Sequence, residues 1–594
     1  MRVKILLLFL LLASLANWCE AKDIYLETSV CTISRGEADT IPERASLVIT
    51  RKDIQNMTAT NVADVLEQTG LVNIQQRGAF GLQGDISLRG ATFDQYLIMV
   101  NGFPINDPQT GHHNLDLPMP LDAIDRIEIT GGQVSSLYGS YGQGGVINII
   151  TEPDYERSYR ASLSAGQNHL AGAEFSASLP TKILAQNFSL QHLSSSGWRD
   201  DTDFRDDILN YQLKLTHPYG DTSFSAGYVA KDFGAYKFYS EAFPDEFEKT
   251  RTFLATSRTR LCWPCQELQP QVSFREHHDY FILDRERPDF FFNDHTNTTI
   301  AFGLPYTLHL SGHTAIIGTD IKQDAIDSTN LGQHHRNLYS VYTEYLPGLP
   351  KLWKLQLGLR DDFYDNYSGH GIVSPSLNLN YILTPGFTYL AGLGRSFRVP
   401  TFTELYYADP SSRGDAALQA EKGWNYETGI KYKQTAWGWQ NTVFWRDIRN
   451  AIDWVRTDPS GVFQAKNITI INSYGWESIM NYKSLATITY QYLNSAIDSS
   501  GQESKYCSTY LKHQVSGRIG CDLPYRIRPD LVITYRKPNQ LKQYWVLDLK
   551  VVKEIGARWS AYIEGNNLLN TYYEESSGVP RPGRWLMAGL DWQV

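Results

Sequence analysis

Along most of this chain, apolar and polar residues alternate one by one. In the final stretch Leu586, Ala588, Leu590, Trp592 and Val594 fall on one face, and Asp591 and Gln593 on the other. Trp545, Leu547, Leu549 and Val551 oppose Asp548 and Lys550; Tyr426, Ile430 and Tyr432 oppose Glu427, Lys431 and Lys433. A period of two marks extended strands whose faces meet different surroundings. From residue 153 to the end the chain divides into about 22 strand-plus-loop units, with strands of roughly ten residues or more. Strands of a soluble sandwich are usually shorter, and their polar face meets bulk water. The pattern predicts a closed transmembrane antiparallel barrel, and a barrel that wide holds a plugged lumen.

Residues 40–152 follow another rhythm. Thr50-Arg51-Lys52-Asp53 reads as a capping-box start. A second helix runs through Val62-Ala63-Asp64-Val65-Leu66, with Thr60 as N-cap and Gly70 as its stop. Short strands at 86–89, 96–100, 124–130 and 146–151 are separated by glycine-rich turns. The expected fold class is therefore all-β: a 22-stranded transmembrane barrel with an N-terminal α/β domain inside it.

Turn lengths in the barrel region alternate. Thr384-Pro385-Gly386 and Ile555-Gly556-Ala557 are short, whereas 284–294 and 401–422 are long. Short periplasmic turns and long extracellular loops are the habit of such barrels. The chain opens with Arg2 and Lys4, an apolar run over 5–15 and a small-residue site at Cys19-Glu20-Ala21. That is a secretory signal over 1–21, too short for a spanning helix, with mature protein expected from about Lys22. Trp18 is too bulky to precede a lipidated Cys19.

Composition adds little more. Tyrosine is abundant, with 36 residues, which suits interfacial girdles. The net charge of −10 argues against a nucleic-acid partner. Of the six cysteines, Cys262 and Cys265 form a Cys-Trp-Pro-Cys turn without a thioredoxin-like surround, read as a local disulfide or free thiols. Cys507 and Cys521 are expected on one strand, too far apart to bridge within it. No Ser/His/Asp triad, zinc motif or phosphate loop stands out, so an enzyme is not expected.

Leu88-Arg89-Gly90, Val100-Asn101-Gly102, Asp125-Arg126-Ile127-Glu128-Ile129, Leu137-Tyr138-Gly139 and Gly144-Gly145-Val146-Ile147-Asn148-Ile149 stand in order and spacing that resemble the plug domain of TonB-dependent outer-membrane transporters. Gly394-Arg395-Ser396-Phe397-Arg398-Val399-Pro400, Glu404-Leu405-Tyr406 and Leu418-Gln419-Ala420-Glu421-Lys422 resemble the family's mid-barrel loop, with Gln419-Ala420 in place of its Lys-Pro. Asn566-Asn567-Leu568-Leu569-Asn570 and Arg581-Pro582-Gly583-Arg584 look like its last hairpin. Val594 ends the chain where the family usually has an aromatic.

The resemblance implies an outer-membrane location among its lipids, insertion by the barrel-assembly machinery, a monomer, and four parts: signal (1–21), TonB box and linker (22–39), plug (40–152) and barrel (153–594). It places the TonB box at Glu27, Thr28, Ser29, Val30, Cys31, Thr32 and Ile33, where TonB would add a strand and pull; Ser29 and Cys31 stand where aliphatic residues are usual. Size and the compact plug are most similar to the cobalamin transporters, so the expected cargo is a corrinoid, with a ferric siderophore as alternative. Haem is disfavoured because no histidine lies between Phe397-Arg398-Val399-Pro400 and Glu421.

Ligand contacts are expected on outward plug loops, at Arg77, Phe80, Gln109, Thr110, His112, His113 and Asn114, facing an aromatic wall of Phe402, Tyr406 and Tyr407. His112-His113, His277-His278 and His334-His335 invite a metal reading, since neutral imidazole is a common ligand; hydrogen bonding or stacking with a bulky cargo is the preferred role for the plug pair. Arg89, Arg126 and Glu128 of the plug are expected to meet lumen carboxylates such as Glu427 and Glu564, because buried charges persist only when paired. Asp200, Asp201, Asp203, Asp206 and Asp207 cluster in the first long loop as a possible calcium site, though not at EF-hand spacing. No catalytic cofactor is expected.

Overall fold

The structure, a computed structural model, describes residues 46–594 apart from 133, 241, 366–370, 484 and 500. The signal and the TonB-box residues Glu27 to Ile33 lie outside the described residues. The N-terminal domain is built on a five-stranded sheet. Its strands are β1 (Ser46–Thr50), β4 (Leu97–Val100), β5 (Phe103–Pro104), β6 (Arg126–Gly131) and β7 (Gly145–Ile150), in the order β1-β6-β7-β4-β5. Only β4 and β7 run parallel. A small hairpin joins β2 (Asn73–Gln76) to β3 (Gly84–Ser87). Helix α1 (Arg51–Asn56) starts at the Thr50/Asp53 capping box. Helix α2 (Val62–Gln68) is capped by Asn61, one residue later than expected, because Asn61 Oδ1 reaches the Asp64 amide while Thr60 donates to the Asp64 carboxylate. Val65, Leu66, Ile74, Ile98, Ile127 and Ile147 pack into one apolar core under the sheet, and a single-turn helix, α3 (Ser135–Tyr138), precedes β7.

Among the described residues, 22 long strands close a barrel around this domain, with short additions at Gln266–Leu268, Ser412–Arg413 and Glu503–Ser504. Closure is made by the last strand, Trp585–Gln593, pairing antiparallel with the first, Ser158–Gly166. Closing the sheet leaves no unpaired edge in lipid.

The barrel turns the usual soluble pattern inside out. In the strand Gly332–Leu346, Tyr339, Val341 and Tyr345 are exposed while Ser340 and Glu344 are buried. The last strand behaves as its sequence predicts, with Leu586 and Leu590 exposed and Met587 buried. Exposed apolar side chains ring the outside, and polar side chains fill the wall facing the plug. Cys507 and Cys521 lie beyond the two ends of the strand Leu511–Gly520, not on it. Cys262 and Cys265 are free thiols.

Candidate ligand vestibule and plug anchorage

Arg89 follows β3 with φ +53°, the left-handed region that L residues adopt at a cost. That turn aims its side chain at the wall. Its Nε and Nη2 donate to the two oxygens of Glu477 at 3.0 and 2.7 Å, and Nη1 donates to Glu427 at 2.8 Å. The guanidinium lies 4.6 Å from the Phe444 ring centroid and is 2% exposed. Burial opposes its charge, but Glu477 and then Glu427 outweigh that and raise its pKa. A Cβ at Gly131 would sit 2.3 Å from Arg89 Cζ, so the guanidinium needs glycine there.

The other expected plug–barrel charges go elsewhere. Arg126 bonds Glu128 and Asp125 within the plug, each at 2.9 Å. Glu564 lies 3.7 Å from Lys550 on the neighbouring barrel strand. Both results follow from nearer partners, two residues or one strand away.

The mid-barrel motif becomes a buried network. Arg398 donates to both oxygens of Glu404 at 2.7 and 2.9 Å and to Glu421 at 2.7 Å. Glu404 also closes a capping box with Thr401 at the start of α4 (Phe402–Tyr406). The amides of Phe402 and Thr403 donate to the plug carbonyls of Pro108 and Gln109 at 2.9 and 3.1 Å. Helix α4 is thus bolted to the plug. Phe402 is fully buried beneath it, so it is not part of an open aromatic wall. Tyr406 stacks on His334, centroids 3.6 Å apart, and Tyr407 donates to Asp409.

Several expected ligand residues also face inward. Arg77 bonds Asp85 and the Phe238 carbonyl. Phe80 packs between Phe204 and Trp585. Gln109 accepts from Asn297 at 2.6 Å, and Asn114 Oδ1 accepts from the Asp107 amide at 2.9 Å. His113 is 3% exposed, against 10% for the side chain of His112. These side chains seat the loop rather than face cargo. Consecutive residues in a tight turn point opposite ways, and sequence gives no sign of which is outward.

Thr110 and His112 remain partly open, as does Thr92. His112 Nδ1 is 2.5 Å from Asp85 Oδ1, and the ring stacks on Phe93 at 4.1 Å with Tyr239 and Tyr506 edge-on at 6.2 Å. Burial holds the His112 pKa below its usual range, against the pull of Asp85. Sequence did not single out Thr92, Phe93, Tyr239 or Tyr506; Phe93, just after the plug's Gly90 turn, carried the one clue, and the two tyrosines come from distant barrel loops.

The five aspartates do not form one oxygen cage. Arg285 holds Asp201 at 3.2 Å and Asp203 at 2.6 Å. Asp206 and Asp207 lie in the strand Phe204–His217 rather than the loop. As strand neighbours they point to opposite faces; Asp206 is buried inward, and Asp207 is held by Arg205 and His192. Asp200 stays in the turn.

The family model for TonB-dependent receptor-like β-barrels matches residues 154–568, and that for the TonB-dependent receptor plug domain matches 40–146. The chain belongs to the TonB-dependent receptors. They are outer-membrane transporters, not enzymes. Among curated relatives of this receptor, the vitamin B12 transporter BtuB of Vibrio cholerae serotype O1 is 26% identical over 96% of this chain and 95% of its own length. The same-named protein of Photobacterium profundum is 23% identical over 79% of each. Among solved structures, the ferric enterobactin receptor PfeA of Pseudomonas aeruginosa superposes with a TM-score of 0.77 at 17% identity, covering 92% of this chain and 98% of its own. The receptor's fold is that of these neighbours.

Proposed function

We propose that this receptor takes up cobalamin or another corrinoid across the outer membrane, energised by TonB acting on the segment 27–33. The observation that carries the reading is similarity to a BtuB transporter over 96% of this chain and 95% of that relative's length. The vestibule floor supports it. An aromatic cluster, with His112 stacked on Phe93 and Tyr239 and Tyr506 edge-on to it, and with the hydroxyls of Thr92 and Thr110 nearby, suits a broad macrocycle fringed with amides. Aromatic faces supply contact area, and the few polar groups set orientation.

Calorimetric titration of cyanocobalamin into detergent-purified receptor tests this. Nanomolar binding, weakened by His112→Ala, is the expected result. Absence of binding by a folded, heat-modifiable barrel would overturn the corrinoid reading and direct the search to ferric siderophores.

A further inference from the structure

Beneath the vestibule, four buried acidic and imidazole side chains converge on His113, and each is used at one atom only. Asp116 follows His113 on the plug loop; its Oδ1 takes Lys231 at 2.7 Å. Glu248, on the strand Phe247–Trp263, accepts from the Tyr239 hydroxyl through Oε2 at 3.1 Å. His277, on the strand Gln271–Ile282, holds Thr252 Oγ1 through Nδ1 at 2.8 Å. Asp279, two residues on, holds His113 Nε2 through Oδ2 at 3.3 Å. The remaining atoms, Asp116 Oδ2, Glu248 Oε1, His277 Nε2 and Asp279 Oδ1, are buried without a hydrogen-bond partner. Among them, His277 and Glu248 are fully inaccessible.

Buried polar atoms without partners are costly, and four of them gather around one imidazole. His113 Nδ1 lies 3.8 Å from Asp116 Oδ2 and 3.9 Å from Glu248 Oε1. The donor atoms of His113, Asp116 and His277 lie within 4.8 Å of one another. Bond lengths of 2.0–2.1 Å give a tetrahedral zinc site edges of about 3.4 Å, so the two His113 contacts must shorten by roughly half an ångström and the other edges of the three-residue set by up to about 1.4 Å, while Glu248 joins through its approach to His113. We propose that His113 Nδ1, His277 Nε2, Asp116 Oδ2 and Glu248 Oε1 bind one first-row transition-metal dication, zinc or a similar ion, clipping the plug loop to the barrel wall.

The surrounding bonds are those of a metal site's outer layer. Asp279 on His113 Nε2 and Thr252 on His277 Nδ1 fix which imidazole nitrogen is free, and Tyr239 and Lys231 do the same for the carboxylates. Two imidazoles and two carboxylates without thiolate suit a borderline dication over calcium or copper(I). This clip is independent of the cargo, since its ligands lie below the vestibule floor.

The test refolds full-length receptor into detergent with zinc, dialyses it and measures bound metal, beside His277→Ala and the near-isosteric Glu248→Gln. About one equivalent of zinc is expected in the wild type, held at least ~10-fold more weakly by each variant and undisplaced by calcium. Zinc should also slow hydrogen exchange across residues 107–117 in the wild type and not in His277→Ala. Heat-modifiable migration checks that each variant folds. A wild-type barrel that retains no zinc overturns the proposal, as does zinc binding unchanged in both folded variants, which would assign the metal to another of the chain's histidines.

Discussion

Arg89 and the two glutamates it bridges illustrate how charge works inside this receptor. A bidentate bond to Glu477 and a third bond to Glu427 satisfy all the nitrogens of one guanidinium, the geometry in which arginine outperforms lysine. Removing the cation leaves two buried carboxylates facing each other. Arg89→Ala should therefore loosen plug seating by about 3–5 kcal/mol, read as faster hydrogen exchange across 86–92 with the barrel's own protection unchanged. Asp94 carries the pH dependence of the same region. Its Oδ1 accepts from the Gly111 amide at 2.7 Å, while burial and then the Glu404 charge push its pKa up to about 8. A raised folded pKa favours the protonated carboxyl, so the contribution is complete below about pH 4 and is lost as pH rises through about 8. Asparagine keeps the acceptor and cannot ionise. Wild-type plug protection should fall between pH 6 and pH 9, roughly spanning that pKa, and Asp94→Asn should abolish the fall; an equal fall in both would assign it to another group.

At the level of elements, seating depends on backbone approaching backbone. Helix α4 offers the amides of Phe402 and Thr403 to the plug carbonyls. On the opposite wall, the strand Gly220–Gly234 makes room at Gly227, where a Cβ would lie 2.1 Å from the Pro118 carbonyl oxygen. Asn210 on the neighbouring strand donates to that same oxygen at 3.1 Å. A side chain at position 227 must displace the plug loop, since backbone cannot yield as a flexible side chain does. Gly227→Leu should leave a folded, heat-modifiable barrel whose plug sits badly, seen as raised ion conductance in planar bilayers. Conductance equal to wild type would mean the loop relocates at no cost. The helix boundaries show the limits of local reading. The capping box at Thr50 was legible because both partners lie three residues apart, whereas the α2 cap moved to Asn61 because Thr60 and Asn61 both compete for Asp64.

For the whole molecule, a barrel with an apolar outside and polar inside encloses a domain with an ordinary apolar core. Closure satisfies the barrel's backbone in lipid, while the plug is held inside it by charge pairs and amide hydrogen bonds. Removing residues 27–35 should leave cargo binding intact and abolish energised uptake, measured with radiolabelled cyanocobalamin in cells; retained uptake would move the energy-coupling segment elsewhere. The alternation of Leu586, Leu590 and Trp592 against Asp591, the alternating turn lengths and the glycine-spaced plug motifs were enough to specify a plugged barrel of this size and family. They suffice because strand period, turn chemistry and side-chain face are local properties, set by neighbours along the chain. Partnership is not local. Arg89 meets Glu477 across 388 positions, Arg126 prefers Glu128 two residues away, Arg285 divides the aspartate loop, and His113 turns under the floor while His112 stays on it. Those outcomes were decided only when barrel closure fixed the register of every strand and brought the plug's side chains within bonding distance of particular lumen residues.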